Sequence, residues 1–483
     1  MSTKISKKSI PLWSAWWGIV SQLRPAFARS STFLWFAVAL AATCARTDLR
    51  GVTSFVRALG LTERCYWRLL DMFHSSAVRR DELPALWSRL VLSLLKAFLF
   101  CVNNRIVLLA DGIKAPKTGR KMPGVKKLHQ ESQNNSKPEF IFGHSCQAIA
   151  VVARAAAGFF AVPLACAIHE GVVFSNRDKR TLLDKLVIML RSLGISLPYY
   201  LVGDIYYATK PVIGPLRAAE QHLVSAVRSN AVAYLAPEEP AVRRRGRPRK
   251  YGRKVALKSL FAELDRFVTA QSPVYGERDV TILMRVLDLH WKPAGGLVRF
   301  VLVIHPTRGR RIFLCTDTTL DGIEVVRIYG VRFKIEVTFK HAVHSVGTWC
   351  YHFWMAGMKP LKRRSGNQYM HMETEHYRQA VRRKLGAYHC FLQMGVISQG
   401  LLQMLAILYP DMVWRRFGSW LRTIRPGVAP SEHVVALALR ESLPEFIAGF
   451  RETNPLAKII SENLDIDRAE GFRLASRERT PHS

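Results

Sequence analysis

The chain has 483 residues, of which 49% are hydrophobic and 22% are charged. This composition excludes a largely disordered chain, and at about 150 residues per domain the length predicts roughly three domains. Lysine and arginine total 71 against 36 aspartates and glutamates, which gives a formal net charge of +35. An excess of positive charge this large indicates a polyanionic partner, and nucleic acid is the class it favours.

Cysteine usage and hydropathy predict an intracellular protein. The eight cysteines include no CxxC pair, so neither a zinc knuckle nor a disulfide scaffold is indicated. The apolar run over residues 33–45 is shorter than the ~20 residues that a membrane span needs. The first residues lack the apolar stretch of a signal peptide. We therefore expect a cytoplasmic location and no membrane partner.

The first hundred residues have helical spacing. In GVTSFVRALGLTERCYWRLLDMF, one short helix precedes a break at Gly60, and a second helix follows with Thr62 as its predicted cap. Two helices joined by a tight turn resemble a helix-turn-helix, with Glu63, Arg64 and Arg68 exposed on the second helix. An ordinary helical hairpin fits the same pattern, so both interpretations stay open here.

From about residue 104 the pattern changes to strands. RIVLLAD is a short apolar run ending on Asp111, and two longer runs follow in EFIFGHSCQAIAVVAR and GFFAVPLACAIHEG. A helix in RDKRTLLDKLVIMLRSLG precedes the strand LPYYLVGD, which ends on Asp204, and a fifth strand is predicted in HLVSAVRSNAVAY. Three strands, a helix, a strand, a helix and a strand predict a mixed α/β sheet.

A basic run, EEPAVRRRGRPRKYGRK, begins after Pro237 and reads as an exposed linker or arm. Its Gly-Arg-Pro core resembles an AT-hook for a narrow minor groove, and a non-specific phosphate-binding arm fits equally well. The candidate DNA contacts in this arm are Arg243, Arg244, Arg245, Arg247, Arg249 and Lys250. Short β-like runs at 279–289, 298–305 and 311–316 then predict a small β-rich insertion, and helical spacing returns at about residue 321.

Three acids are candidates for chemistry. Asp111 and Asp204 each follow an apolar strand, where a carboxylate is costly unless it meets a cation or hydrogen-bond donors, and strand ends are where α/β folds place their sites. Such carboxylates can bind Mg²⁺, although each one alone could be a turn residue. Glu336 shares a predicted helix face with Tyr329, Arg332 and Lys340, a spacing that a salt-bridged surface helix would also show.

The segments around these acids, LLADGIK, LVGDIYY and YGVRFKIEVTFK, resemble the DDE transposases of bacterial insertion sequences. The resemblance spans roughly residues 50 to 450 and extends to PGVKKLHQES, YHFWM with MKPLKRR, and FGSWLRTIRPG. It is closest to the group with a Tyr-x2-Arg-x3-Glu-x6-Lys signature and a β-rich insertion. Tyr329, Arg332 and Glu336 match that signature, whereas its final lysine position is Val343 here, with Lys340 as a candidate substitute.

The resemblance implies an RNase H-like fold and a metal-dependent reaction. Asp111, Asp204 and Glu336 would hold two Mg²⁺ ions about 4 Å apart, with Mn²⁺ able to substitute, around one phosphodiester. Tyr329, Arg332 and Lys340 are then expected to grip phosphates of the transposon end, and the partners are double-stranded DNA at the element's ends and at the target. A homodimer is expected in the synaptic complex, and the protein would act at the bacterial nucleoid.

The sequence also predicts one base-stacking candidate, the fold class and a division of the chain into five segments. Trp291 is a candidate for base stacking, with a β-core tryptophan as the alternative. The fold class is α/β: an RNase H-like mixed-sheet core interrupted by a β-rich insertion, with helical N-terminal and C-terminal regions. The segments are a helical DNA-binding region at 1–100, core at 101–237, basic β-rich insertion at 238–316, core with the catalytic helix at 317–400, and a helical region at 401–483.

Two other classes are weighed against a transposase. One is a catalytically inert, sequence-specific DNA-binding protein derived from a transposase, and Val343 is the feature that favours it. The other is a tyrosine recombinase, which needs a nucleophilic tyrosine within an Arg/His cluster and works without metal. Tyr369, near His371, His376 and Arg378, is the nearest such arrangement.

Overall fold

The computed structural model describes residues 11–130, 138–237, 249–417 and 427–466. It is a mixed α/β fold built on one large sheet with helices on both faces, which confirms the predicted fold class. Alternate residues of the central strand enter separate cores: Leu108 and Ala110 pack towards the large helical layer, and Val107 and Leu109 pack towards the other face. This alternation is what a strand buried on both faces requires.

The strands in chain order are β1 (Cys101–Val102), β2 (Arg105–Pro116), β3 (Lys126–His129), β4 (Phe140–Ala155), β5 (Gly158–Ile168), β6 (Val172–Val173), β7 (Tyr199–Gly203), β8 (His222–Ala226), β9 (Val232–Tyr234), β10 (Lys254–Ala256), β11 (Val268–Gln271), β12 (Thr281–Trp291), β13 (Gly296–His305), β14 (Gly309–Cys315) and β15 (Gln368–Tyr369). The centre of the sheet has the order β5-β4-β2-β7-β8. The first three strands pair antiparallel, and β7 and β8 join in parallel. The strand pattern predicts this mixed sheet, and the resemblance to DDE transposases implies its RNase H-like arrangement.

The predicted β-rich insertion is continuous with this sheet. Its last strand, β14, pairs antiparallel with β8, and β13, β12, β9 and β10 follow outwards in that order. The single fifth strand predicted over HLVSAVRSNAVAY is two strands, because the turn after β8 sends the chain away from the core. The first of them, β8, belongs to the core, whereas β9 pairs with β12 and β10.

The α-helices among the described residues are α1 (Leu12–Val20), α2 (Ser30–Ala45), α3 (Gly51–Ala58), α4 (Cys65–His74), α5 (Glu82–Leu94), α6 (Leu182–Ser192), α7 (Lys210–Ala218), α8 (Gly322–Gly330), α9 (Phe333–His341), α10 (Glu375–Leu408), α11 (Pro410–Arg416), α12 (Glu432–Phe450) and α13 (Pro455–Ser461). Local sequence explains the ends of α6. Thr181 and Asp184 form a reciprocal capping box at its start, and Gly194 adopts a φ of +63° just beyond its end.

Helix α10 is the centre of the helical layer. It packs against α2 and α4 from the N-terminal region, against α12 from the C-terminal region and against β5 of the sheet. Among the described residues it is the one helix long and apolar enough to span a membrane, and 94% of its apolar window is buried inside the protein. The N-terminal and C-terminal helices thus form a single layer around one core helix.

The turn between α3 and α4 has the predicted break at Gly60, whose φ is +61°. The predicted cap is wrong: α4 begins at Cys65, its N-cap is Arg64, and no side chain caps it, because Thr62 lies in the preceding turn. The C-terminal segment covers this turn, where the backbone N–H of Asp465 donates to the carbonyl of Gly60 at 2.8 Å. Arg64 and Arg68 are exposed as expected; DNA reading by α4 stays a prediction.

Candidate active site

Asp111 lies in the middle of a strand rather than at its end. The sequence predicts that the strand stops at Asp111, but β2 continues to Pro116 because the long strand β4 pairs with it as far as Gly143. Alternation along β2 places Asp111 on the same face as Val107 and Leu109, the face covered by α8. Its side chain is only 18% exposed.

Asp204 follows β7 directly, as predicted, and begins a 3₁₀ turn. Its carboxylate accepts a hydrogen bond from the backbone N–H of Tyr206 at 2.9 Å, and its carbonyl accepts one from the Ser225 hydroxyl at 2.7 Å. The parallel register of β2 and β7 pairs Leu109 with Val202. Asp111 and Asp204 each lie two residues further along, so they stand at the same level on neighbouring strands that are about 4.8 Å apart.

Glu336 is joined to Asp111 through an arginine. Arg332 donates from one guanidinium nitrogen to Asp111 at 3.0 Å and from the other to Glu336 at 2.6 Å. The Asp111 and Arg332 side chains are 18% and 19% exposed, whereas Glu336 is 56% exposed. One guanidinium therefore bridges a residue of β2 and a residue of α9 that are far apart in sequence.

The helix that carries this signature is interrupted. The sequence predicts that Tyr329, Arg332, Glu336 and Lys340 share one helix face, but α8 ends at Gly330 and α9 begins at Phe333. Glycine has a high conformational entropy cost in a helix, which favours an end at this position. Tyr329 still reaches the site, because the guanidinium carbon of Arg332 lies 5.9 Å from the centre of its ring.

The electrostatic environment of Asp111 changes the pKa of its carboxyl group. Burial raises the pKa of its carboxyl to about 6, Arg332 and the backbone N–H of Gly112 oppose that rise, and the charges of Asp204 and Glu336 add to it. Although burial opposes it, Tyr329, Asp111 and Glu336 raise the pKa of the Arg332 guanidinium. Asp111 thus lies in the field of one cation and two other acids, and negative charge accumulates at this point of a strongly basic protein.

Tyr207 is a neighbour of the acids that the sequence analysis did not single out. The residue is buried, with only 2% of its surface exposed. Burial and the charges of Asp111 and Asp204 raise the pKa of its phenol group. Gln147 donates to its hydroxyl at 3.4 Å and accepts from Nδ1 of His169 at 2.7 Å. Its position three residues after a strand-end aspartate, in DIYY, is the signal that could have identified it.

The other candidate DNA contacts lie on α9 and in the basic arm. Lys340 is exposed and forms no ion pair with any residue the structure describes, and Val343 is 37% exposed one turn further along. Arg249 and Lys250 are exposed. The other arm residues lie outside the described residues: Arg243, Arg244, Arg245 and Arg247. Their contacts with DNA stay predictions.

Trp291 is a core residue in the structure. It is 8% exposed and packs edge to face on Phe300, with ring centroids 6.2 Å apart. The register through β12, β13 and β14 places it at the opposite end of the sheet from Asp204. This is the position of the β-core alternative, and the proposed base-stacking role has no geometric support near the acids.

Tyr369, the candidate of the recombinase alternative, is 52% exposed, and its ring is centred 5.8 Å from that of His371. Arg378 is engaged elsewhere, in an ion pair with Glu375. The tyrosine therefore lacks the arginine that would bind the phosphate in this arrangement.

The donor set of the three acids suits a hard divalent cation. Carboxylate oxygens are the ligands that Mg²⁺ prefers, and a cation, the Arg332 guanidinium, already lies between Asp111 and Glu336. Within the part of the chain that the structure describes, no group of three His, Cys, Asp or Glu side chains is close enough to form a metal site as it stands. Arg332 occupies the space that a shared ion would need, so it must turn aside for all three acids to bind one.

Comparisons with known proteins place this geometry in context. A family model described as "DDE superfamily endonuclease" matches residues 22–272, which include Asp111 and Asp204 and exclude Glu336. No curated protein matches the chain. Among solved structures, a cryo-EM structure of the piggyBac transposase synaptic complex with hairpin DNA is similar over 96% of this chain and 86% of that chain, at 12% identity and a TM-score of 0.36.

Proposed function

The chain belongs to the DDE superfamily of endonucleases, and on that premise we propose that it is a transposase that cuts the DNA at the ends of its own element and joins them to a target. The observation that carries the proposal is the juxtaposition of Asp111 and Asp204 at one level of two neighbouring strands, with Glu336 joined to Asp111 through Arg332. The family match supports DNA cleavage in general, and this geometry supports the assignment of its residues.

Asp111, Asp204 and Glu336 are the residues that would hold Mg²⁺, or Mn²⁺ in its place. A divalent metal bound there would act as a Lewis acid on the scissile phosphodiester and make water or a 3′-hydroxyl a better nucleophile. The carboxylates concentrate the negative charge that such an ion needs. The raised pKa of Asp111, about 6, still leaves it mostly ionised at pH 7 to 8.

Arg332 has two tasks in this proposal. Without DNA it neutralises Asp111 and Glu336, which lowers the cost of keeping carboxylates together in a partly buried site. With DNA bound, the same guanidinium can turn to a phosphate beside the scissile bond, for which its fork of donors is suited. Tyr329, which lies against Arg332, would add a hydroxyl donor, and Lys340 a point charge on the exposed face of α9.

Several finer features belong to the same proposal. The match of Tyr329, Arg332 and Glu336 to the Tyr-Arg-Glu-Lys signature supports an origin in a bacterial insertion sequence, and a bacterial protein of this kind would act in the cytoplasm at the nucleoid. The partners would be double-stranded DNA at the element's ends and at the target. Cutting two ends together would require a homodimer in the synaptic complex.

The test begins with the DNA that brackets the reading frame. We expect inverted repeats there, and we expect a duplex carrying one repeat to be nicked by the purified protein in Mg²⁺ but not in EDTA. Asp111→Asn and Asp204→Asn should bind the same duplex and fail to nick it. Tight binding with no metal-dependent nicking by the unaltered protein would instead identify the inert DNA-binding alternative, and nicking in EDTA would overturn the metal-dependent mechanism.

A further inference from the structure

A basic surface without any carboxylate lies beyond the acids along the chain. Residues 112–130, which continue from Asp111, contain six lysines and arginines and no aspartate or glutamate. Residues 349–367, which follow α9, contain four lysines and arginines and again no acid. We call the exposed cations and tryptophan of these two segments, together with the half-buried Lys121, the basic surface. Its members are Arg120, Lys121, Trp354, Lys359, Lys362, Arg363 and Arg364.

The two segments are held together through their backbones. The N–H of Leu361 donates to the carbonyl of Arg120 at 2.9 Å, and the N–H of Met355 donates to that of Lys121 at 2.9 Å. The side chains reinforce this pairing, because Arg120 donates to the carbonyl of Leu361 at 2.7 Å and Lys121 to that of Ala356 at 3.1 Å. The cations of two distant parts of the sequence are therefore fixed on one surface.

The charges of this surface are not neutralised by the protein. The acceptors of Arg120 and Lys121 are neutral carbonyls, and no ion pair joins Lys359 or Lys362 to a carboxylate among the described residues. Exposed arginines elsewhere do have such partners, as Arg57 has Asp48 at 2.8 Å. A concentration of like charge without counter-charge costs free energy through self-repulsion, which a bound polyanion would relieve.

An exposed aromatic side chain accompanies these cations. Trp354 is 59% exposed, although a tryptophan side chain is mostly buried in folded proteins. Cations interleaved with an exposed aromatic residue are the combination that binds nucleic acids, with charges for the phosphates and a flat ring for sugars or bases.

The length of β2 beyond Asp111 can be compared with the length of a DNA duplex. Pro116 is the fifth residue after Asp111 along β2, and at about 3.3 Å per residue the two lie roughly 17 Å apart. At 3.4 Å per base pair this is about five base pairs of a duplex. A duplex whose scissile phosphate lies at Asp111 would therefore pass the end of β2 about five base pairs from the cut, and the basic surface begins four residues beyond that end, at Arg120.

We propose that the basic surface binds the phosphate backbone of the duplex that flanks the scissile bond, several base pairs away from it. The inference rests on the proposed function, because it takes the three acids as the point of cleavage. It adds a second set of DNA contacts, made by residues outside the signature helix and the arginine-rich arm.

The first experiment measures, without divalent metal, the salt dependence of binding to the end duplex, a long duplex that carries one inverted repeat and the DNA on both sides of the cleavage position. The surface variant replaces four cations by alanine: Lys359, Lys362, Arg363 and Arg364. The matched control removes the same charge from exposed positions on the helices: Arg89, Lys96, Arg191 and Lys458. Each lost phosphate contact lowers the log–log salt slope by about 0.9, so we expect the slope to fall by about 3 to 4 in the surface variant and to stay unchanged in the control. Equal changes in the two variants would overturn the proposal.

The second experiment tests whether the affinity lost in the surface variant depends on the length of the DNA. The flanking duplex is shortened to three base pairs on one side of the cleavage position or on the other, and the loss of affinity caused by the surface variant is measured again. We expect that loss to disappear on one of the two shortened duplexes, and which one it is identifies the side that the surface binds. A loss that persists on both would overturn the proposal.

Two controls separate failure of this inference from failure of the proposed function. Circular dichroism checks that the variants are folded, and Trp354→Ala, which leaves the charge intact, should weaken binding to the long duplex but not to the same shortened one. If the protein cleaves the end duplex normally but the affinity lost in the surface variant does not depend on the length of the flanking DNA, this inference alone is refuted. A protein that neither binds nor cleaves the end duplex would refute the proposed function.

Discussion

Removing the shared cation of the acidic site should destabilise the protein in a pH-dependent way. Arg332→Met keeps the length of the apolar stem and deletes the guanidinium that binds Asp111 at 3.0 Å and Glu336 at 2.6 Å. Removing one partner of a buried ion pair costs about 3–5 kcal/mol, because it leaves the other charge without a counter-charge. Since Asp111 and Arg332 keep about a fifth of their side-chain exposure, we expect a loss of about 2–3 kcal/mol at pH 8.

The pH dependence follows from the carboxyl group of Asp111. Its pKa in the folded protein, about 6, lies above the value of 3.8 for an unperturbed aspartate, so the folded state holds its proton more tightly than the unfolded state. Such a group loses stability as pH rises through that interval, and without Arg332 the pKa rises further and the loss continues to higher pH. At pH 5 Asp111 is mostly protonated, and the remaining cost is the exposed pair with Glu336, about 0.3–0.5 kcal/mol.

Equilibrium unfolding in urea, without divalent metal, measures both values. Arg327→Met is the matched control, since Arg327 pairs with Glu324 on α8, where both side chains are partly exposed, and no ion pair joins Arg327 to the three acids among the described residues. We expect the control to lose less than about 1 kcal/mol, equally at pH 5 and pH 8. If Arg332→Met were as stable as the unaltered protein at pH 8, or lost the same amount at both pH values, the guanidinium would not neutralise these acids.

Two further predictions concern folding. Burial lowers the pKa of His144 and His169 to about 3 and that of His389 to about 4, so only the unfolded chain takes up protons at these residues as pH falls below about 6.5. The free energy of unfolding should therefore drop by about 2 kcal/mol per histidine between pH 7 and pH 5. Urea midpoints that stay the same from pH 7 to pH 5 would contradict this prediction. Gly171→Ala should cost at least about 4 kcal/mol, because the backbone there has a φ of +99° and a Cβ would lie 1.9 Å from a carbonyl oxygen. Gly276→Ala, at a φ of +87° with no atom within 4 Å of the added Cβ, should cost only about 1–2 kcal/mol, and equal losses in the two variants would argue against the close backbone contact.

The features of this fold that can be predicted from sequence are those that depend on residues close together in the chain. Strong apolar runs between turn residues gave the order of strands and helices in the core, and Asp204 follows β7 as expected. The pair of Arg332 and Glu336 follows from spacing alone, because residues four apart are neighbours on a helix.

The features that could not be predicted depend on distant partners. Nothing near Asp111 shows that β2 continues for five more residues, since Gly112 and Pro116 resemble a loop; the extension exists because β4 supplies a partner. The contact between Asp111 and Arg332 joins residues 221 positions apart, and no local pattern encodes it. Gly330 is the signal that could have located the break before α9, but helical spacing on both sides masks it.

In the proposed active site Glu336 belongs to the reacting centre together with Asp111 and Asp204, and a single substitution tests this assignment. Glu336→Gln keeps the size of the side chain and removes the negative charge. If Glu336 only pairs with Arg332 on an exposed helix face, the change costs about 0.3–0.5 kcal/mol and cleavage barely alters.

The measurement compares metal-dependent cleavage of the end duplex by Glu336→Gln and by the unaltered protein, with binding without metal measured alongside. We predict that cleavage falls by orders of magnitude while the affinity for the duplex stays near that of the unaltered protein. Near-normal cleavage by Glu336→Gln in Mg²⁺ would contradict the assignment of the third acid and, with it, the proposed active site.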